Sequence, residues 1–355
     1  MTENKINTAI LGYGFSGSVF FAPFLAIHPG FNLVAALERN KKRIQADYPD
    51  VTSYEKLDEL LHDERIELEV VNTPIDTHYE LAKAALEAGK HVIVEKTFTT
   101  SADQALALQQ LALDRSLQLF VYQNRRFDSD FLTVEKVLRS AKLGEVVEAS
   151  LSYDLYLPQV RGDVHTEQPW SGGEFNNRGS HVVDQAVKLF GLPNAVMADF
   201  AAFRPHSPVE DYFELTLTYV DKRVKVRGTD IACGQQPAFV LHGLKGSFIK
   251  SRSDRQEELL LQGQKPSALE WWSEEPTDFG HLRYELEGQI MTEPVESEAG
   301  NYYHYFEGVY QSLRHGAAVQ VSGIDGYKTM LVMDAARRSA REGRWIKIEA
   351  ATDLL

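Results

Sequence analysis

The sequence predicts an α/β protein in which an N-terminal doubly wound parallel sheet is followed by an α+β domain built on a mostly antiparallel sheet. Three observations predict it. Gly12, Gly14 and Gly17 stand at G-x-G-x-x-G spacing directly after an apolar run, Thr8 to Leu11. Strand-like and helix-like patterns then alternate as far as Tyr122, which implies parallel strands covered by helices. Beyond Tyr122, runs of period two dominate, as in half-buried antiparallel strands. A chain of 355 residues holds two domains of ordinary size, and we place them at 1–122 and 123–355.

The glycine spacing has a spatial reason. Gly12 allows a tight turn, Gly14 lets the backbone approach a pyrophosphate, and Gly17 lets the following helix pack on the strand. The first N–H groups of that helix face an anion, so Gly12, Gly14, Phe15, Ser16 and Gly17 are candidate cofactor contacts. The next apolar run, Phe31 to Leu37, ends at Glu38, which stands 21 positions after Gly17 (38 − 17). A carboxylate at that distance accepts hydrogen bonds from the adenosine ribose. Helices are expected over Ser53 to His62, Asp76 to Ala88 and Ser101 to Arg115, with strands over Leu68 to Asn72, His91 to Glu95 and Gln118 to Tyr122. Tyr79, Ala82 and Leu86, with Leu81 and Ala85, give the second helix its apolar stripe; Asp76 or Thr77 is positioned to cap it and Gly89 to end it. These elements make a Rossmann unit.

In the second half, strands are expected over Val146 to Tyr156, Val196 to Phe203, Tyr212 to Tyr219, Val224 to Ile231, Ala238 to His242 and Arg344 to Ile348. Helices are expected over Phe131 to Lys142, His181 to Phe190, Tyr302 to His315 and Asp325 to Glu342. The Glu-rich stretch Glu270 to Gly300, with Trp271 and Trp272, reads as an irregular surface excursion.

Composition narrows the function. A net charge of −14 argues against a nucleic-acid surface. The lone Cys233 rules out an intrachain disulfide and reads as a small buried side chain. The N-terminus shows no apolar signal segment and no run is long enough to cross a bilayer, so a cytoplasmic protein without membrane partners is expected.

Lys96 follows the strand His91 to Glu95, at the carboxyl edge of a parallel sheet where open α/β folds bind ligands. A partly desolvated lysine there exchanges a proton with a substrate hydroxyl; the plain alternative is a solvated lysine paired with Glu95. A polar loop, Gly172 to Asp184, runs into a helix and carries Asn177 and His181 four apart. Histidine carries protons near neutral pH; the plain alternative is a histidine hydrogen-bonded to Asp184. A metal site from Glu174, His181 and Asp184 has no recognised ligand spacing, and no metal is expected. Asn124, within Gln123 to Asp128, and Thr73-Pro74 end parallel strands and are placed to line the cofactor, whereas Arg125 and Arg126 read as a solvated pair. The aromatic set Tyr302, Tyr303, Tyr305, Phe306 and Tyr310 reads as core.

These residues resemble the glucose-fructose oxidoreductase, inositol dehydrogenase and MocA (Gfo/Idh/MocA) family over nearly the whole chain. The resemblance rests on Gly12 to Gly17, on Asn72-Thr73-Pro74 with His78, on Glu95-Lys96, and on Gly172-Gly173 followed by Gly179-Ser180-His181 and Asp184. Asp211-Tyr-Phe, Gly246-Ser-Phe and Gln123 to Leu132 resemble the branch that includes NADP-dependent scyllo-inositol dehydrogenases. The resemblance implies a sugar or polyol substrate, NAD or NADP as cofactor with His78 and Glu95 near it, and dimers or tetramers formed through the antiparallel sheet. It also implies that Lys96 is the lysine of the family's Glu-Lys-Pro motif and that His181 is its catalytic-loop histidine. Thr97 replaces the proline, and Asn177 stands where many members carry aspartate. That second departure opens an alternative, a cofactor- and sugar-binding sensor without turnover. Glu38 favours NAD and Arg39 a 2′-phosphate, so NAD is expected to serve at least as well as NADP.

Overall fold

The computed structural model describes residues 5–39, 42–162, 167–168, 171–234, 236–269 and 272–351. Met1 to Asn4, Lys41 and Trp271 lie outside the described residues. One compact unit comprises 1–124, 255–271 and 301–327; a second comprises 125–254, 272–300 and 328–355.

The first unit alternates strand and helix. In chain order it runs β1 (Ile6–Ile10), a π-helical turn Gly17–Phe21, α1 (Ala22–Ile27), β2 (Phe31–Leu37), α2 (Ile44–Asp47), β3 (Thr52–Tyr54), α3 (Leu57–Leu61), β4 (Leu68–Val71), α4 (Ile75–Glu87), β5 (His91–Glu95), α5 (Ala102–Asp114) and β6 (Leu119–Tyr122). The sheet order is β3-β2-β1-β4-β5-β6 with every pair parallel, so the strand order reverses between β1 and β4. Ligands of such sheets bind where the order reverses, beyond the carboxyl ends of the strands. Two expected details differ. Thr52, Ser53 and Tyr54 pair with Ala35, Ala36 and Leu37, so the helix expected from Ser53 starts only at Leu57. The β-branched Val51-Thr52 start favours an edge strand over a helical turn. Helix α4 starts at Ile75 with Pro74 as its N-cap residue and no side-chain cap, leaving Asp76 and Thr77 inside the first turn. Its inward face is His78, Ala82, Ala85 and Leu86, and Gly89 at φ +80° ends it as expected.

The second unit contains α6 (Ser129–Arg139), β7 (Val146–Ser152), a π-helical turn Phe175–Gly179, α7 (Ser180–Phe190), β8 (Ala195–Ala201), β9 (Tyr212–Thr218), β10 (Arg223–Thr229), β11 (Phe239–Gly243) and β12 (Gly246–Lys250). The chain contributes α8 (Gln256–Leu261) to the first unit, then β13 (Gly280–Leu286) and β14 (Gln289–Val295) to the second, and α9 (Tyr303–His315) to the first. It ends with α10 (Gly323–Glu342) and β15 (Ile346–Lys347). The nine strands are ordered β14-β13-β12-β11-β7-β10-β9-β8-β15, and β7–β10 is the parallel pair among antiparallel ones. Phe213, Leu215 and Leu217 of β9 alternate inward with Val224 and Val226 of β10, and α7 covers β7 and β10 with Val182, Val183, Ala186 and Val187 buried.

The stretch expected to be irregular, Glu270 to Gly300, is instead largely the hairpin β13–β14. Glu287 and Gly288 take φ +51° and +79°, the two-residue hairpin turn with both central residues left-handed. A buried network holds the segment: Lys250 Nζ donates to Glu274, whose carboxylate also accepts from the hydroxyls of Ser129, Ser253 and Ser297. Cys233 is exposed, not buried. The aromatic set is core as expected: Tyr302 and Phe306 have no exposure, and Phe306 stacks on Phe24 at 5.2 Å.

Glu69 lies fully buried in β4 between Ala9 and Val92, and neither carboxylate oxygen has a hydrogen-bond partner. Desolvation raises its pKa from 4.5 to about 7, against the pull of the Lys90 charge. A raised carboxyl pKa means that folding takes up a proton between those values, so stability falls as pH rises through that window and is flat above it. The total is up to about 3 kcal/mol. Glu69→Gln should flatten the dependence of thermal midpoint on pH between 5 and 8; an undiminished slope in the variant would assign the effect to another group.

Candidate active site

The end of β1 and the end of β4 meet at the reversal point. Asn72 Nδ2 donates to the Gly12 carbonyl at 2.7 Å, tying the glycine turn to the neighbouring strand. A Cβ at Gly17 would collide with that carbonyl and stand 2.9 Å from Asn72 Nδ2, whereas nothing lies within 4 Å of a Cβ at Gly14. Gly17 is therefore required by packing, and Gly14 leaves open space at the mouth of the turn. None of the three has a positive φ, so space rather than backbone freedom is what they supply. Ser16 Oγ and Asn72 Oδ1 are buried without a hydrogen-bond partner, one able to donate to a phosphate and the other to accept from a hydroxyl. Phe15 is exposed beside them. An open cradle with two orphaned polar atoms at a helix start fits a dinucleotide.

Other expected cofactor residues are placed differently. The Glu38 carboxylate is buried and accepts from the backbone N–H of Arg43 (2.9 Å) and Ile44 (3.3 Å) and from Ser53 Oγ (3.0 Å). Arg39 is exposed beyond β2. His78 is turned into the core, with Nδ1 2.9 Å from the Thr97 carbonyl and Nε2 2.7 Å from that of Thr73; its neutral ring donates to one of these and lies packed between the ends of β4 and β5. Its burial lowers its pKa despite the three carbonyls around it. Thr73 Oγ1 meets Thr77 Oγ1 at 2.7 Å, Pro74 is exposed, and Asn124 is buried.

Lys96 is half-buried after β5, and its peptide bond to Thr97 is cis. Beside it, desolvation raises the Glu95 carboxyl to about 7; Lys96 lowers it and Glu257 raises it further. Glu95 thus changes charge next to Lys96 near neutral pH.

In the second unit, the π-helical turn Phe175–Gly179 runs directly into α7, so Asn177 and His181 lie on one continuous helical segment. His181 is buried in the first turn of α7. Asp184 is not spent on His181: it forms a two-pronged pair with Arg126, 2.7 Å from both Nε and Nη2, and accepts from Thr329 Oγ1 at 3.1 Å. Arg125 and Arg126 are buried rather than solvated. Asn177 Nδ2 donates to Glu174 at 3.2 Å, and Glu174 also pairs with Arg178 at 2.8 Å. The carboxylates of the metal reading are thus each bound to an arginine. Among the described residues no group of His, Cys, Asp and Glu is arranged to hold a metal ion. No local pattern signals the Arg126–Asp184 pair, whose members lie 58 residues apart.

The fold and cradle define a dinucleotide-binding Rossmann protein with an appended α/β unit. The chain belongs to the Gfo/Idh/MocA oxidoreductase family: residues 6–123 match its NAD-binding Rossmann fold and 135–348 its C-terminal alpha/beta domain. It is 35% identical to scyllo-inositol 2-dehydrogenase (NADP(+)) IolW of Bacillus subtilis, over 98% of this chain and 97% of that one. It is 28% identical to inositol 2-dehydrogenase of Rhizobium meliloti over 80% of this chain and 81% of the relative. Among solved structures it is similar to the yvaA protein of Bacillus subtilis (TM-score 0.93, 35% identity, 98% of this chain and 100% of that one). The YPO2259 protein of Yersinia pestis gives a TM-score of 0.92 at 33% identity, covering 98% and 99%.

Removing one member of a buried pair strands the other charge, which costs about 3–5 kcal/mol. Asp184→Asn should therefore lower the unfolding midpoint sharply, and adding Arg126→Met should restore part of it. Unchanged stability in Asp184→Asn would show that the pair does not hold α7.

Proposed function

We propose that the protein is a nicotinamide-dependent dehydrogenase or reductase acting on a CH–OH group of a sugar or polyol of the inositol type. The observation that carries this is the braced cradle at Gly12, Gly17 and Asn72 with Lys96 at the carboxyl end of the same sheet. When bound, the cofactor supplies the hydride acceptor or donor. The chain's own residues bind, orient and move the proton: the glycine turn and Ser16 hold the phosphates, and Lys96 exchanges the substrate hydroxyl proton. His181, with Asn177 before it on the same helical segment, supplies the second polar group toward the substrate. In this reading residues 1–122 bind cofactor, 123–355 bind substrate, and copies associate through the nine-stranded sheet. Inositol relatives support the substrate class, and the name of the Bacillus relative supports a 2′-phosphorylated cofactor. No helix among the described residues is long and apolar enough to cross a membrane.

Reduced-cofactor absorbance across a panel of inositols, aldoses and their oxidised forms should show turnover of at least one member. Lys96→Ala should lower that turnover by a factor on the order of 10² to 10⁴ with cofactor affinity kept. Tight cofactor binding without turnover of any panel member would favour the sensor.

A further inference from the structure

Arg337, on α10, is half-buried and bears on three groups of the second unit. It donates through Nη2 to Asn176 Oδ1, and its guanidinium lies over the Phe175 ring, 5.1 Å from the ring centre. Its charge also acts on the half-buried Glu210 carboxyl, whose pKa burial raises and Arg337 lowers. All three groups shape the π-helical turn Phe175–Gly179. Asn176 Nδ2 donates to the Ser171 carbonyl at 2.7 Å, so the amide is engaged at both ends. A side chain at Gly172 would collide with that amide, one at Gly173 with the Glu210 carboxylate, and one at Gly179 with the Phe175 ring. Gly172 and Gly173 also take positive φ, +71° and +63°. These glycines leave the spaces that the partners of Arg337 fill.

The register of the following helix depends on this turn. A π-helical turn closes on the fifth residue rather than the fourth, so relaxing it to an α-helical turn would rotate its two ends relative to each other by about 100°, one residue of helix. Asn177 lies inside the turn and His181 in the first turn of α7, which follows without a break. Beyond His181 the helix is fixed by Asp184, through its pair with Arg126 and its bond from Thr329. Before Asn177 it is fixed by Arg337 on Asn176 and Phe175, and by Phe175 packing on Phe200 and Phe213 at 4.7 and 5.4 Å. We propose that Arg337 is a positioning residue: by holding the π-helical turn it sets the direction in which Asn177 and His181 face, and so aligns them with the substrate. This rests on the function proposed above, in which His181 and Asn177 serve the substrate.

A lysine at 337 keeps the charge facing Glu210 but has neither the planar face that lies on Phe175 nor the fork of an arginine. Arg337→Lys in the full chain should fold, keep its affinity for NAD+ and NADP+ in calorimetric titration, and lower kcat on the best panel substrate by a factor of about ten to a hundred with KM little changed, the scale of a small misplacement of reacting groups. Asn176→Ala, which leaves Arg337 in place, should give a similar loss. The double variant should lose no more than either alone, because both break the same contact. Histidine NMR supplies a readout free of turnover: the ring signal that His181→Gln removes should shift in both single variants more than any other histidine signal. An unmoved His181 signal in the folded variants, or a lowered thermal midpoint with kcat intact, would overturn the proposal and leave Arg337 a tie between α10 and the turn. A shifted His181 signal without turnover of any panel member would support the positioning while removing the dehydrogenase reading, so the two failures are distinguishable.

Discussion

Crowding at one point organises the first unit. The carbonyl of Gly12 is held by Asn72, and the space left beside them admits no side chain at position 17. Because β1 and β4 are neighbours across the reversal of strand order, this contact joins the two strand ends that border the ligand crevice. The segment after the glycines lies close against that carbonyl at Gly17, while the space beside Gly14 is open. The His78 ring sits in the same way between the ends of β4 and β5, with a ring nitrogen within hydrogen-bond distance of a backbone carbonyl at each. Lys96 directly precedes Thr97, whose carbonyl faces the His78 ring. The geometry of a cofactor site is thus set by hydrogen bonds among strand ends before any ligand contributes.

The second unit relies on charge buried in pairs. Arg126 with Asp184, Arg178 with Glu174 and Asp230, and Arg204 with Glu167, Asp211 and Asp230 are all nearly inaccessible. Such pairs return little net stability, since desolvation offsets most of the attraction, but loss of a single member is costly. Their effect is to fix the start of α7, and with it His181 and Asn177. Asn177 gives an amide that donates to Glu174; the negative charge lies one turn earlier on the helix and is shared with Arg178.

Much of this was legible in the sequence. The glycine spacing, the strand ends at Glu95 and Tyr122 and the helix stop at Gly89 all depend on local patterns and appear where expected. The features that were not legible depend on partners remote in the chain. The Glu38 carboxylate accepts from Arg43, Ile44 and Ser53, and only the fold brings Ser53 beside β2. Arg125 and Arg126 looked like surface residues because their neutralising carboxylates cannot be seen from their neighbours in sequence. The hairpin β13–β14 was hidden by Glu-rich composition and by a left-handed Glu287, where the signal for such a turn is normally Asn or Asp.

The proposed function requires direct hydride exchange between a bound nicotinamide and a carbinol carbon. It is tested most directly by supplying reduced cofactor deuterated at nicotinamide C4, on the face that transfers, together with an oxidised inositol or sugar, and examining the product by NMR. Deuterium on the newly formed carbinol carbon, with no incorporation from deuterated solvent when unlabelled cofactor is used, is the predicted result. Product in which that hydrogen derives from solvent, or no product with either face labelled, would contradict it.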